Sequence, residues 1–156
     1  MARTEVVLRP VAESDAEILL RWAPDKLEGY RFPCGQEEVC RMIREWNAGQ
    51  SGGKTFVIRL IEAGGSTVGL LSLYGDGVMS VGVSVAADKR RCGYAKAAVC
   101  AAKEIARGCG CTLLTGQNRV ENAASIALCN GCGFVCVGRA VNRKGHEVFL
   151  WEMPLG

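Results

Sequence analysis

The chain has 156 residues, is 49% apolar and carries a formal net charge of +3. A chain of this size and composition can bury a full core, so we expect one domain over residues 1–156 and exclude a disordered chain. No basic stripe and no apolar stretch of membrane-spanning length is present, and charges interrupt the first ten residues, so we expect a cytoplasmic protein without nucleic-acid or membrane partners.

The N-terminal half predicts one strand, two helices and a meander. Residues 4–8 are β-prone, and a capping-box pattern from Ser14 to Glu17 predicts a first helix that ends near Pro24. Apolar residues at helical spacing predict a second helix over residues 36–47. Three strands follow, over residues 55–61, 66–74 and 78–85, and the glycine turns between them favour antiparallel pairing.

The C-terminal half alternates helices and strands. An alanine-rich helix over 91–107 leads to a short strand over 111–115, and Asn122 is a good N-cap for a helix that continues to Cys129. Two further strands are predicted over 134–137 and 147–151. The order β-α-α-β-β-β-α-β-α-β-β predicts an α/β (α+β) domain, with about seven strands in a mixed, mostly antiparallel sheet and about four flanking helices.

Nine cysteines make the chain cysteine-rich. Their number is odd, and pairs such as Cys129 and Cys132 lack the two well-spaced knuckles of a structural zinc site, so we expect no metal. Cys40, Cys100 and Cys136 lie among aliphatic neighbours in the sequence, which predicts free thiols that act as small buried apolar side chains.

A candidate anion site begins the third predicted helix. The first turn there carries Arg90, Gly93 and Ala95, so free amides, the positive end of the helix dipole and small side chains meet. Gly93 and Ala95 allow a phosphate close to the backbone, and Arg90 and Arg91 add positive charge. The alternative is that the small residues let the helix pack closely on the sheet and that the arginines are solvated.

Three separated motifs occur along the chain: Leu-Arg-Pro at residues 8–10 with Asp-Ala at 15–16, Arg-x-x-Gly-x-Ala at residues 90–95, and Asn-x-x-Ser-x-x-Leu followed by Gly-Cys-Gly-Phe within residues 122–134. The second and third resemble the two signatures of the GCN5-related N-acetyltransferase (GNAT) superfamily. The first resembles the opening of the branch typified by ribosomal-protein N-terminal acetyltransferases. The three matches occur in that superfamily's order and span most of the chain.

The resemblance implies that the fourth predicted strand splays away from the fifth, and that the pantetheine arm of acetyl-coenzyme A pairs in the gap with the backbone of Val83 and Val85. Asn122 and Ser125 would offer polar contacts to this arm, although an N-cap role explains Asn122 equally well and packing explains Ser125. The pyrophosphate of this co-substrate would lie on the amides of the second motif, which are those of Arg90, Arg91, Cys92, Gly93, Tyr94 and Ala95.

The implied reaction is direct attack by a primary amine on the thioester in a ternary complex, which needs a neutral amine and a proton for the leaving thiolate. The superfamily often has a tyrosine where this chain has Cys129, so Cys129 is the candidate general acid, with a packed cysteine or a water as alternatives. The candidate bases are Asp76, Asp88, Glu121 or a chain of waters, and we expect His146 to be structural.

The acceptor predicted from the resemblance is a protein N-terminus or a small-molecule amine. Tyr30 and Phe32, between the first two helices, are candidate acceptor-binding residues, with ordinary loop packing as the alternative. A catalytically weak or inactive domain that binds acyl-coenzyme A is the alternative function. The sequence is compatible with a monomer or with a homodimer that pairs an exposed sheet edge.

Overall fold

The computed structural model describes residues 5–22 and 35–156. Its four α-helices are α1 (Ala16–Trp22), α2 (Gln36–Asn47), α3 (Tyr94–Gly108) and α4 (Ala123–Cys132). Seven strands form the main sheet: β1 (Val7–Pro10), β2 (Lys54–Ala63), β3 (Ser66–Tyr74), β4 (Val78–Val85), β5 (Leu113–Arg119), β6 (Val135–Val141) and β7 (Glu147–Pro154). A two-residue strand, Gln50–Ser51, also pairs with the start of β2. Within the described ranges, no helix is long and apolar enough to cross a lipid bilayer.

The sheet has the order β1-β2-β3-β4-β5-β7-β6. Every pair of neighbouring strands is antiparallel except β4 and β5, which are parallel. This arrangement confirms the predicted mixed, mostly antiparallel α/β fold.

The fifth strand extends further than the sequence predicts. The expected bounds of 111–115 are wrong, because Cys111 still belongs to the turn after α3, where its N–H donates to the carbonyl of Ala106 at 3.0 Å. At its other end, β5 continues through Arg119 because it pairs with β7 at seven consecutive positions. Pairing with a distant strand therefore overrides the weak strand propensity of its polar second half.

Apolar side chains alternate along the strands and build a core on each face of the sheet. One core lies beneath α1 and α2 and includes Leu60, Leu70 and Ile43. The other lies beneath α3 and α4 and includes Leu71, Met79 and, from β7, Trp151 and Met153. The α1–α2 core takes no residue from β5 to β7. The helices α1 and α2 therefore do not cover their face of the sheet over β5, β6 and β7.

An ion-pair cluster ties the first strand to the first helix. Both terminal nitrogens of the Arg9 guanidinium donate to the carboxylate of Asp15, at 2.7 and 2.8 Å, and its Nε donates to Glu62 on β2. Asp15 also accepts the backbone N–H of Ala12 at 2.7 Å, so it caps this turn in place of the predicted box that starts at Ser14. The Arg9 hydrogen bonds hold the pKa of Asp15 below its usual value.

The burial of the cysteines differs from the prediction. The eight described cysteines are free thiols, and of these Cys111 and Cys132 are buried whereas Cys100 and Cys136 are exposed. The expectation that Cys100 and Cys136 are buried is therefore wrong. Cys100 lies outside the buried face of α3, and Cys136 lies on β6, a strand at one edge of the sheet. The exposure of each thiol therefore depends on the face of the helix or the position of the strand, and not on the neighbouring residues in the sequence.

We expect Arg9→Met to lower the free energy of unfolding by about 2 kcal/mol at neutral pH, because it leaves the buried Asp15 carboxylate without its charged partner. Since the folded-state pKa of Asp15 is lowered, the stabilisation is present above the unfolded pKa and is lost as pH falls through the folded one. The difference between wild type and variant, measured by urea unfolding, should therefore shrink below about pH 4.

The matched control is Arg107→Met, which breaks an exposed i,i+3 pair with Glu104 on α3. Exposed pairs of this kind contribute little to stability. An equal loss in the two variants would contradict a structural role for the Arg9 cluster.

Candidate functional site

The strands β4 and β5 separate partway along the sheet. They pair at three positions and the last of these joins Ser80 to Thr115. Beyond that point β4 stays paired with β3 as far as Val85, and β5 stays paired with β7 as far as Arg119. This separation confirms the predicted splay between the fourth and fifth strands.

Backbone groups of β4 point into the resulting gap. The carbonyl of Met79 points towards β5, where it accepts the hydroxyl of Thr115 at 3.4 Å. Because backbone polar groups alternate in direction along a strand, those of Val81 and Val83 point the same way, and no strand within residues 5–22 and 35–156 pairs with them there. The carbonyl of Val85 has the same direction but accepts Nε of Arg90 at 3.2 Å. Two residues of β4 thus offer free strand-pairing groups to the gap.

A cavity of about 170 Å³ lies on the helix side of this gap, and we call it the helix-side cavity. It is enclosed by the separated strands, the middle of α3 and one face of α4. Three predicted site residues line it together, namely Val83, Ser125 and Cys129. The remaining lining residues are Val81, Gly82, Val99, Gly116, Gln117, Leu128, Cys132 and Phe134.

A second cavity, of about 530 Å³, lies on the opposite face of the sheet, and we call it the open-side cavity. Leu150 and Glu152 line it, and they alternate along β7 with the core residues Trp151 and Met153 of the helix side. The other lining residues are Ser80, Val81, Thr115, Gly116, Gln117, Val137 and Trp151. Val81, Gly116 and Gln117 line both cavities, so the two meet where the strands separate.

Two hydrogen bonds through Asn118 connect the Cys129 thiol to Trp151. Nε1 of Trp151 donates to Oδ1 of Asn118 at 3.1 Å, and Nδ2 of Asn118 donates to Sγ of Cys129 at 3.5 Å. Burial raises the pKa of the Cys129 thiol, and the Asn118 hydrogen bond opposes this in part. The Cys129 thiol therefore keeps its proton at neutral pH and accepts the hydrogen bond of Asn118, and among the described residues no acceptor binds its S–H.

The start of α3 presents backbone donors. Gly93, the N-cap, has φ of +79°, a conformation that glycine adopts without strain, and Arg91 has φ of +64°. In the described part of the chain, the N–H groups of Gly93, Tyr94 and Ala95 have no acceptor, as expected for a first helical turn. The guanidinium of Arg90 is turned back onto Val85. It therefore contributes to the shape of the loop, whereas the exposed Arg91 supplies charge at its edge.

Several other predicted residues lie away from the two cavities. Asn122 is the N-cap of α4, with its Oδ1 accepting the N–H of Ser125 at 3.1 Å, and it does not line the helix-side cavity. The sulfur of Cys92 bonds to the carbonyl of Arg90 at 3.5 Å. Tyr30 and Phe32 lie outside the described residues.

None of the three carboxylates considered as bases lines either cavity. Asp76 accepts the hydroxyl of Thr55 at 2.8 Å, a bond that lowers its pKa and fixes the turn before β4. Glu121 pairs with Arg119 at 2.5 Å, and Asp88 is exposed.

The residues of the site that sequence reasoning missed include Asn118 and Glu152. Both lie just beyond the predicted ends of their strands, at residues 115 and 151. Consecutive side chains of a strand point to opposite faces, so extending the predicted strand by one residue beyond Trp151 would have placed Glu152 on the face opposite it. Asn118 carries no comparable signal, because its burial depends on pairing with β7.

A family model described as an acetyltransferase (GNAT) domain matches residues 5–135. No curated protein sequence matches the chain. Solved structures with the same fold include the ribosomal L7/L12 α-N-protein acetyltransferase RimL, in complex with coenzyme A held by a disulfide. It has a TM-score of 0.82 and 19% identity over 99% of this chain and 97% of that one.

Two further solved structures have this fold. Spermidine N-acetyltransferase from Vibrio cholerae has a TM-score of 0.79 and 15% identity over 97% of this chain and 94% of its own. The microcin C7 self-immunity acetyltransferase MccE, in complex with acetyl-CoA and AMP, has a TM-score of 0.77 and 16% identity over 97% and 93%. At these identities the likeness establishes a shared fold.

We expect iodoacetamide to alkylate Cys129 more slowly than the exposed Cys109, because burial both shields the Cys129 sulfur and raises its pKa. The pKa of an ordinary thiol is about 8.5, so the Cys129 rate should still rise with pH above that value. Peptide mass mapping after timed alkylation measures both rates. Equal rates and equal pH profiles for the two thiols would contradict the described environment of Cys129.

Proposed function

This protein belongs to the GNAT acetyltransferase family, and on that premise we propose that it transfers the acetyl group of acetyl-coenzyme A directly to a primary amine. The observation that carries the proposal is the separation of β4 from β5, with one cavity on each face of the sheet and three residues common to both. Two separate substrates can meet across such a gap without a covalent enzyme intermediate.

The pantetheine arm fits the helix-side cavity. The arm carries amide groups that need hydrogen-bond partners, and the unpaired backbone groups of Val81 and Val83 point into the gap. Ser125 lines the same cavity and adds a hydroxyl from α4. The arm would thus occupy the position of an additional strand beside β4. The coenzyme complexes of RimL and MccE, which share this fold, support the proposal.

The pyrophosphate fits the start of α3. The unpaired N–H groups of Gly93, Tyr94 and Ala95 and the helix dipole favour a negative charge there. Gly93 has no side chain to hinder the approach, and the exposed Arg91 adds positive charge. The bond from Arg90 to the carbonyl of Val85 joins the loop to the end of β4, so the anion site and the gap are held in fixed relation.

In the proposed reaction the acceptor enters from the open-side cavity, and its amine attacks the thioester carbonyl once it is neutral. A carbon–nitrogen bond forms, the attacking nitrogen releases one proton to solvent, and the carbon–sulfur bond breaks. The departing thiolate takes the proton of the Cys129 thiol, which solvent then replaces. Donor and acceptor are both thiols, so the proton transfer is unfavourable only by the amount by which burial raises the pKa of Cys129. Asn118 holds the Cys129 sulfur so that its hydrogen is available to the helix-side cavity.

The proposal is tested by incubating the protein with acetyl-coenzyme A and a panel of peptide N-termini and small amines. We expect acetylated products to be detected by mass spectrometry. Thiol-reactive dyes are unsuitable for this assay, because nine cysteines would consume them. Acetyl-coenzyme A binding in calorimetry without any acetylated product would indicate a binding domain rather than an enzyme, and the absence of both would contradict the proposal.

We expect Gly93→Glu to abolish acetyl-coenzyme A binding, because it places bulk and negative charge at the proposed pyrophosphate position. Gly110→Glu is a matched control at the other end of α3. Both glycines have φ of +79°, so the two variants carry the same backbone strain, and a Cβ at Gly110 has open space. Calorimetry should show no binding for the first variant and unchanged binding for the second. Equal affinities would show that the pyrophosphate lies elsewhere.

We expect Cys129→Ala to lower kcat about 100-fold at neutral pH, the usual size of a general-acid contribution, with the affinity for acetyl-coenzyme A unchanged within a factor of about two. Cys109→Ala, at an exposed thiol, is the control and should leave both quantities unchanged. An unaltered kcat in Cys129→Ala would assign the protonation to water.

A further inference from the structure

Glu152 is the carboxylate of the open-side cavity. It lies on β7, directly opposite Thr115 on β5 and Val135 on β6. Thr115 in turn faces Ser80, and this is the last position at which β4 and β5 pair. Ser80, Thr115 and Glu152 thus form a row across three strands at the start of the gap. Adjacent strands are about 4.8 Å apart, so the Glu152 side chain is one strand away from the place where the two cavities meet.

The Glu152 carboxylate has no charged partner within the described ranges. Its side chain is partly buried against the cavity, and no hydrogen bond or ion pair forms with it there. Glu147, at the start of the same strand, is instead paired with Arg139 at 2.9 Å. A partly desolvated carboxylate without a partner costs folding free energy, and a cation that enters the cavity would recover it.

The rest of the described lining carries no charge. Ser80, Thr115 and Gln117 provide neutral polar groups, and Val137 and Leu150 provide apolar surface. Glu152 is therefore the one charged residue among the described lining. A described lining with one negative charge and an apolar wall matches an amine that has one ammonium group beside an uncharged or apolar segment. A polyamine, with several ammonium groups, would leave its remaining charges without partners.

We propose that Glu152 binds the ammonium group of the acceptor and accepts its proton, and that the acceptor carries one ammonium group rather than several. This inference rests on the proposed acetyl transfer. The carboxylate takes one proton from the ammonium and becomes a carboxylic acid, and the nitrogen lone pair so released attacks the thioester. The acid then returns its proton to solvent through the open side of the cavity.

The test compares wild type, Glu152→Gln and the control Glu147→Gln in steady-state kinetics. The acceptors are a lysine-free peptide with a free α-amino group and spermidine. For the peptide at pH 7, we expect Glu152→Gln to lower kcat/KM about 100-fold and to raise the KM of the peptide, with the KM of acetyl-coenzyme A unchanged. Glu147→Gln should match wild type. Wild type should acetylate the peptide faster than spermidine.

The pH dependence of kcat/KM distinguishes a role of Glu152 as proton acceptor from a purely structural role. A peptide α-amino group has a pKa of about 8 and is mostly neutral at pH 9.5, so the deficit of Glu152→Gln should shrink below about tenfold there. Glu152→Asp, which keeps the charge, should recover part of the activity at pH 7. Equal melting temperatures of wild type and Glu152→Gln check that the variant is folded.

Three outcomes would overturn the inference. Unchanged peptide kinetics in Glu152→Gln would remove Glu152 from acceptor binding, and a deficit that is the same at both pH values would remove its role as proton acceptor. Faster acetylation of spermidine by wild type would overturn the single-ammonium acceptor. In each of these cases the wild-type protein would still transfer acetyl groups, so the proposed function would remain valid. If the wild-type protein acetylated no amine, both the proposed function and this inference would be wrong.

Discussion

The separation of β4 from β5 after three paired positions is the constraint on which the site depends. Each strand continues beyond that point with another partner, β4 with β3 and β5 with β7, so neither loses its place in the sheet. The cost is a short stretch of β4 backbone whose donors and acceptors have no strand beside them in the described part of the chain. Unpaired backbone groups in a protein interior are rare, and here they face a cavity that a ligand can fill.

Hydrogen bonds fix the positions of the polar groups around the gap. On the helix side, Asn118 links Trp151 to Cys129 by two hydrogen bonds, so a buried polar residue fixes both an aromatic core residue and a thiol. At the far end of β4, Arg90 bonds to the carbonyl of Val85 and orients the turn that leads into α3. The free amides of that helix therefore lie at a defined position relative to the unpaired strand.

Much of the fold could be predicted from the sequence, because most elements carry local signals. Helix α2 matches its predicted bounds, since its apolar residues recur at helical spacing between polar ones. The gap and the cavity containing Val83, Ser125 and Cys129 were predicted from motifs that resemble a known family. The extension of β5 through Asn118 was not predictable, because it depends on pairing with β7, and neither was the exposure of Cys100 and Cys136. Glu152 was missed because its strand was predicted to end at residue 151, three residues before its end at Pro154.

Val81, Gly116 and Gln117 line both cavities, so the two faces of the sheet share the same three residues at the gap. A substitution at any of these three positions therefore alters the shape of both cavities at once. A substitution at a residue that lines one cavity alone, such as Val99 or Leu150, acts directly on one face of the sheet.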